Sequence, residues 1–224
     1  DTFNSIYGEI SMTTDWRILE KKDYFISGYN QTWQNERCIE LGLSFRWIER
    51  NKNIMEVGAV IPYYAEGGNY EMNHEVIDPY DEMATIVDFM ENIDLTGNNI
   101  LAVSTIEHIG TTDYDGSGER QNLVDADAAP LALQQILNQA DSCFVTLPIG
   151  YNTGLDNWLE DNLHRLKCFG YHKTQHGFDL SGDTWPPELL VTWEYHPLVK
   201  SIKDYEYRTP FPFANYILCI EGWK

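Results

Sequence analysis

Basic residues are few: 15 Lys and Arg stand against 35 Asp and Glu, a formal net charge of −20. A field of that sign repels phosphate backbones and anionic lipid surfaces before contact, which argues against nucleic acid as a partner. No run of about 18 apolar residues is present to span a bilayer, so no membrane insertion is expected. The opening segment DTFNSIYGEI has neither the charged nor the apolar region of a signal peptide, and the expectation is a soluble, cytoplasmic protein. Cysteine is also scarce. Cys38, Cys143, Cys168 and Cys219 are scattered, lack the paired spacings of a zinc site, and read as reduced core residues.

No repeat, low-complexity tract or Pro/Gly-rich linker divides the chain. Its 224 residues are therefore read as one domain, with an N-terminal helical segment at 1–50 and a core at 51–224. The first residue is Asp rather than Met, which suggests a trimmed chain or a domain cut from a longer polypeptide. Hydrophobic residues make up 43%, enough for a chain of this length to bury a core.

Apolar positions at helical spacing predict a helix over Trp33–Arg50. From Asn53 the pattern changes to short Val- and Ile-rich runs, NIMEVG (53–58), HEVID (74–78), ATIVDF (84–89), NILAVST (99–105) and SCFVTLPIG (142–150). Runs of that kind fit buried strands of a parallel sheet. Helices are predicted at Asp125–Ala140 and Leu155–Leu166, and KCFGYHK, ELLVTWEY and FANYILCIEGW read as closing strands. The expected fold is α/β: a Rossmann-like, doubly wound, seven-stranded, mostly parallel sheet with a terminal antiparallel hairpin.

Ligands of such sheets bind beyond the carboxyl ends of the strands, and those ends carry Glu56 with Gly58, then Asp78, Asp88, and Ser104 with Thr105. A glycine after the first strand lets a ligand approach the backbone, and an acid after the second can accept ribose hydroxyls. The ordinary alternative is that these acids cap helices and turns.

With these residues in place, the chain resembles the class I S-adenosylmethionine (SAM) dependent methyltransferases. The resemblance rests on NIMEVGAV (53–60), the second-strand acid Asp78, NILAVSTIEHIG (99–110) and SCFVTLPIGYN (142–152), and covers roughly residues 30–220. Within that superfamily, NERCIE, EVGAVIPYY, STIEHIG, LPIGYN with LDNWL, and PFANYILCIEG together resemble a group associated with glycan biosynthesis. The first turn departs from the superfamily by carrying one glycine where two or three are common.

The resemblance implies SAM as cofactor and S-adenosylhomocysteine as product. It also implies that Glu56 and Gly58 flank the methionine and ribose, Asp78 takes the ribose hydroxyls, Asp88 the adenine amino group, and Ser104 the inner edge. Arg37 is a candidate for the cofactor carboxylate, against the simpler reading of a salt bridge to Glu40 or Glu36.

A sugar hydroxyl needs a general base, and His108 in STIEHIG lies where the acceptor would meet the methyl group. Tyr151 and Asn152 in PIGYN are candidate acceptor-binding residues, with closure of the core as their bland alternative. Asp113 and Asp115 in TTDYDGSGERQ (111–121) offer oxygen ligands to a divalent metal, but a solvated lid is the favoured reading and no metal site is assigned.

The expected activity is O-methyl transfer to a sugar hydroxyl of a glycan or its precursor, such as a deoxyhexose like rhamnose, alongside a fused or associated glycosyltransferase. The competing expectation is a methyltransferase-like module without catalysis that binds or scaffolds glycan.

Overall fold

The computed structural model describes residues 15–112, 122–176 and 191–223. Its centre is a single sheet of seven strands in the order β2-β1-β3-β4-β7-β5-β6. The strands are β1 (Ile54–Val57), β2 (Glu75–Ile77), β3 (Asn99–Val103), β4 (Ser142–Pro148), β5 (Lys167–His176), β6 (Val191–His196) and β7 (Tyr216–Trp223). β2, β1, β3 and β4 pair in parallel, whereas β4–β7, β7–β5 and β5–β6 are antiparallel.

The class is therefore α/β, but the expected doubly wound, mostly parallel Rossmann-like sheet is not what forms. Half of the strand pairings are antiparallel. The chain also passes from β1 to β2 and from β2 to β3 with no α-helix, only the short 3-10 turns Ile61–Tyr63 and Met90–Asn92. Pro62, Gly67 and Gly68 in the first connection, and Pro79 and Gly97 in the second, oppose helix propagation. The run at 84–89, expected as a strand, makes only an isolated bridge, Ile77 with Ile86. The closing elements do not form a simple terminal hairpin either: β7 comes last in sequence and inserts between β4 and β5.

Three α-helices are present among the described residues: α1 (Arg37–Ile48), α2 (Ala128–Gln139) and α3 (Thr153–Asn162). Strand periodicity divides the core into two layers. Ile100 and Ala102 of β3, with Cys143 and Val145 of β4, face Leu133 and Ile136 of α2 and Leu155 and Leu159 of α3. Leu101, Val103 and Phe144 face the other way, onto Ile39, Leu43 and Trp47 of α1. Cys38, Cys143 and Cys219 are buried, Cys168 is half-buried, and all four are free thiols. Among the described residues no helix is long and apolar enough to cross a membrane.

Leu133 is fully buried in the α2 layer. Leu133→Ala is expected to cost about 2–5 kcal/mol in urea unfolding, from lost burial and the cavity left behind. A loss under about 1 kcal/mol would contradict this packing of α2.

Candidate functional site

The parallel strands bring their carboxyl ends together above a buried ionic network. Glu40 of α1 is completely buried beneath the end of β3. Its Oε1 accepts from Thr146 Oγ1 at 2.9 Å and also from Ser104 Oγ, while its Oε2 receives Arg37 Nη1 at 2.9 Å. Arg37 Nη1 further donates to the Val103 carbonyl at 3.3 Å. Burial pushes the Glu40 carboxyl up, and Arg37 opposes that shift. Arg37 thus forms the salt bridge to Glu40. Ser104 sits at φ 42°, a strained conformation for a residue other than glycine, and its hydroxyl points into this network.

Beyond Ser104 the chain turns through a 3-10 segment, Ile106–His108. The His108 side chain is 42% exposed, and its Nε2 lies 3.6 Å from Oε1 of Glu107, whose side chain is 2% exposed. His108 Nδ1 pairs with the Tyr151 hydroxyl at 3.1 Å, and Tyr151 meets the Tyr207 ring edge-to-face at 5.1 Å. Glu107 Oε2 is buried and has no hydrogen-bond partner among the described residues. Burial pushes the Glu107 carboxyl well above the usual range, with Glu40 and Glu36 adding to the shift and Arg37 opposing it. The arrangement is an accessible imidazole with a phenol on one nitrogen and a buried carboxyl near the other, which suits proton transfer.

Asn152 is placed differently from Tyr151. It is 2% exposed and caps α3 by accepting from Leu155 N at 3.0 Å. Its Nδ2 donates to the carbonyls of Glu107 at 3.0 Å and Ile109 at 3.2 Å. Asn152 therefore locks the His108 turn to α3 rather than facing solvent.

Glu56, Gly58 and Asp78 meet at the turn after β1. Glu56 is fully buried, and its Oε1 accepts from Val60 N at 2.9 Å and Ile61 N at 2.8 Å. Its Oε2 pairs with His74 Nε2 at 2.9 Å. Asp78 is half-buried; its Oδ2 accepts from Ala59 N at 3.3 Å, and its Oδ1 from Tyr80 N at 2.8 Å and Asp81 N at 3.0 Å. Gly58 adopts φ 82°, and a Cβ there would collide with the Thr105 side chain. The space freed by this glycine is filled by the protein itself. Asp88 has its partners within its own segment, Phe89 N at 2.7 Å and Asn92 Nδ2 at 2.8 Å, and the Asn92 and Phe89 bonds hold its carboxyl below the usual range.

The structure thus joins Arg37 to Ser104, and His108 to Tyr151, while Glu56, Gly58 and Asp78 build one turn. Asp113 and Asp115 lie outside the described residues. Among the described residues no three His, Cys, Asp or Glu side chains gather as metal ligands. Comparison with family models, curated proteins and solved structures finds no match.

Sequence reasoning missed Glu107, Tyr207 and the central place of Glu40. Glu40 left one signal, an acid inside the otherwise apolar stretch CIELGL.

A carboxyl whose folded pKa lies above its unfolded value favours folding while protonated, and loses that contribution as pH rises toward the folded pKa. Glu107→Gln removes this dependence. The stability of the variant relative to wild type should increase as pH rises above about 5 in urea melts. Parallel pH profiles would contradict a raised Glu107.

Proposed function

We propose that this chain is an O-methyltransferase that uses SAM and transfers its methyl group to a sugar hydroxyl. The reading rests on the family resemblance together with one observation: the accessible His108 imidazole, held by Tyr151 and backed by buried Glu107, at the carboxyl end of β3. When bound, SAM supplies an electrophilic methyl on a sulfonium, whose displacement leaves a neutral thioether.

Asp78 fits the ribose, because it stands half-buried beside the glycine turn and a carboxylate accepts more bonds than the three it makes here. Glu56 supports that turn from beneath through the Val60 and Ile61 amides. Arg37 and Ser104 act through the network that fixes the end of β3. With Nδ1–H of His108 donating to the Tyr151 hydroxyl, the Nε2 lone pair would take the proton of the acceptor hydroxyl. Tyr151 orients the imidazole through Nδ1, and the buried Glu107 carboxyl lies beside Nε2.

Exposed rings favour a carbohydrate acceptor. Tyr29 and Tyr63 stack at 5.5 Å, and both oxygens of Asp81 accept from the Tyr63 hydroxyl at 2.9 Å. Such rings present an apolar face beside hydrogen-bonding groups. A fused or associated glycosyltransferase is the partner this reading implies, and the free, mostly buried cysteines suit a cytoplasmic setting.

The second reading, a glycan-binding or scaffolding module without catalysis, is favoured by Thr105 filling the space beside Gly58. Calorimetry with S-adenosylhomocysteine separates the two. The enzyme reading predicts binding at about micromolar dissociation constant, weakened at least about tenfold in Asp78→Ala. No heat at millimolar cofactor would leave the module reading. If cofactor binds, mass spectrometry of candidate oligosaccharides incubated with SAM should register a methyl adduct. His108→Ala should reduce its rate of formation by about 100-fold or more; an unchanged rate would move the base elsewhere.

A further inference from the structure

The open edge of the sheet beside β2 is formed by the segment that follows it. β2 has only three residues and stands last in the strand order on its side. The chain then runs along it at 84–89: Thr85 N and Ile86 N donate to the Val76 carbonyl at 3.0 and 2.9 Å, and Asp78 N donates to the Ile86 carbonyl at 3.2 Å. Neighbouring residues of an extended chain direct their backbone groups to opposite edges. Ile86 therefore commits its N–H and C=O to β2, and Val87 turns its own away from the sheet, where among the described residues neither has a hydrogen-bond partner.

Side chains leave this edge open as well. Val87 is 70% exposed and Phe89 46%, and Tyr80, 65% exposed, meets the Phe89 ring edge-to-face at 5.8 Å. Natural sheets guard such edges with Lys or Pro, and neither occurs between Tyr80 and Asn98. The flanks are acidic instead. Asp81 is held by the Tyr63 hydroxyl and Asp88 by Asn92, neutral donors that leave each charge in place, and Glu82 and Glu91 are exposed. No Lys or Arg occurs anywhere from Asn53 to Glu119. A second copy of this chain would bring the same acids against these and be repelled, whereas a segment with basic flanks is attracted.

We propose that 84–89 is a docking edge for an extended segment of a partner protein in which alternating apolar residues are flanked by Lys or Arg. The segment exchanges backbone hydrogen bonds with Val87, lays apolar side chains beside Val87, Phe89 and Tyr80, and sets its basic ends against Glu82 and Glu91. The inference goes beyond methyl transfer and does not depend on it.

The test is an NMR titration of the full chain with the end-blocked hexapeptide KTVTVK, following the Val87 amide. A dissociation constant of about 1 mM or tighter is expected, with the Val87 amide among the largest shifts. The acid-flanked peptide ETVTVE, and KTVTVK N-methylated at its central residues to remove backbone donors, should each bind at least about tenfold more weakly. Val87→Lys, at an exposed position where folding is not at risk, should weaken KTVTVK by about tenfold. Glu82→Gln combined with Glu91→Gln should weaken it by about threefold. No Val87 shift at about 10 mM peptide, equal binding of the basic and acidic peptides, or unchanged binding in both variants would each overturn the proposal. So would sedimentation of the free chain as a dimer that Val87→Lys returns to monomer, since the edge would then belong to a second copy.

Discussion

A single buried carboxylate organises the strand ends of this protein. Glu40 enters the core on the inner face of α1 and is surrounded by donors from three elements: Arg37 on its own helix, Ser104 at the end of β3 and Thr146 within β4. An acid taken out of water is costly unless its oxygens are met, and breaking one contact leaves the others exposed to that cost. The network therefore ties α1 to two strands and fixes where β3 ends. It also sets the local potential, since Glu107 feels both Glu40 and Arg37.

Close backbone packing makes the rest of the strand-end surface stiff. Gly58 admits the Thr105 side chain, and Gly150, at φ 87°, lies where a Cβ would collide with the Tyr207 backbone. Tyr207 reaches the His108 pair on a segment between β6 and β7 that is pinned from below. Lys173 Nζ of β5 donates to the Pro212 carbonyl at 2.7 Å, and Asn215 Nδ2 donates to the carbonyls of Glu206 and Phe211 at 3.3 and 2.9 Å. Burial lowers Lys173 to about 8. The geometry around His108 thus depends on residues from both the parallel and the antiparallel halves of the sheet.

The strands were legible in the sequence because Val- and Ile-rich runs such as NILAV and SCFVTLP are buried on both faces, and such runs carry a local signal. Their pairing was not legible. Inserting β7 between β4 and β5 depends on contacts far apart in sequence, for which periodicity has no register. His108 could be proposed from its place after a strand, but Glu107 beside it reads as a solvated turn residue until the fold shows it buried. Asn152 illustrates the reverse case: a polar residue in a candidate loop proved to be a helix cap, as Asn before a helix often is.

The most direct test of this account is a double-mutant cycle between Glu40→Gln and Thr146→Val, read by urea unfolding near neutral pH. If Glu40 unites α1 with the sheet through shared donors, the two losses will be non-additive, with a coupling energy above about 1 kcal/mol. Additivity within about 0.5 kcal/mol would contradict the claim that this carboxylate holds the strand ends in place.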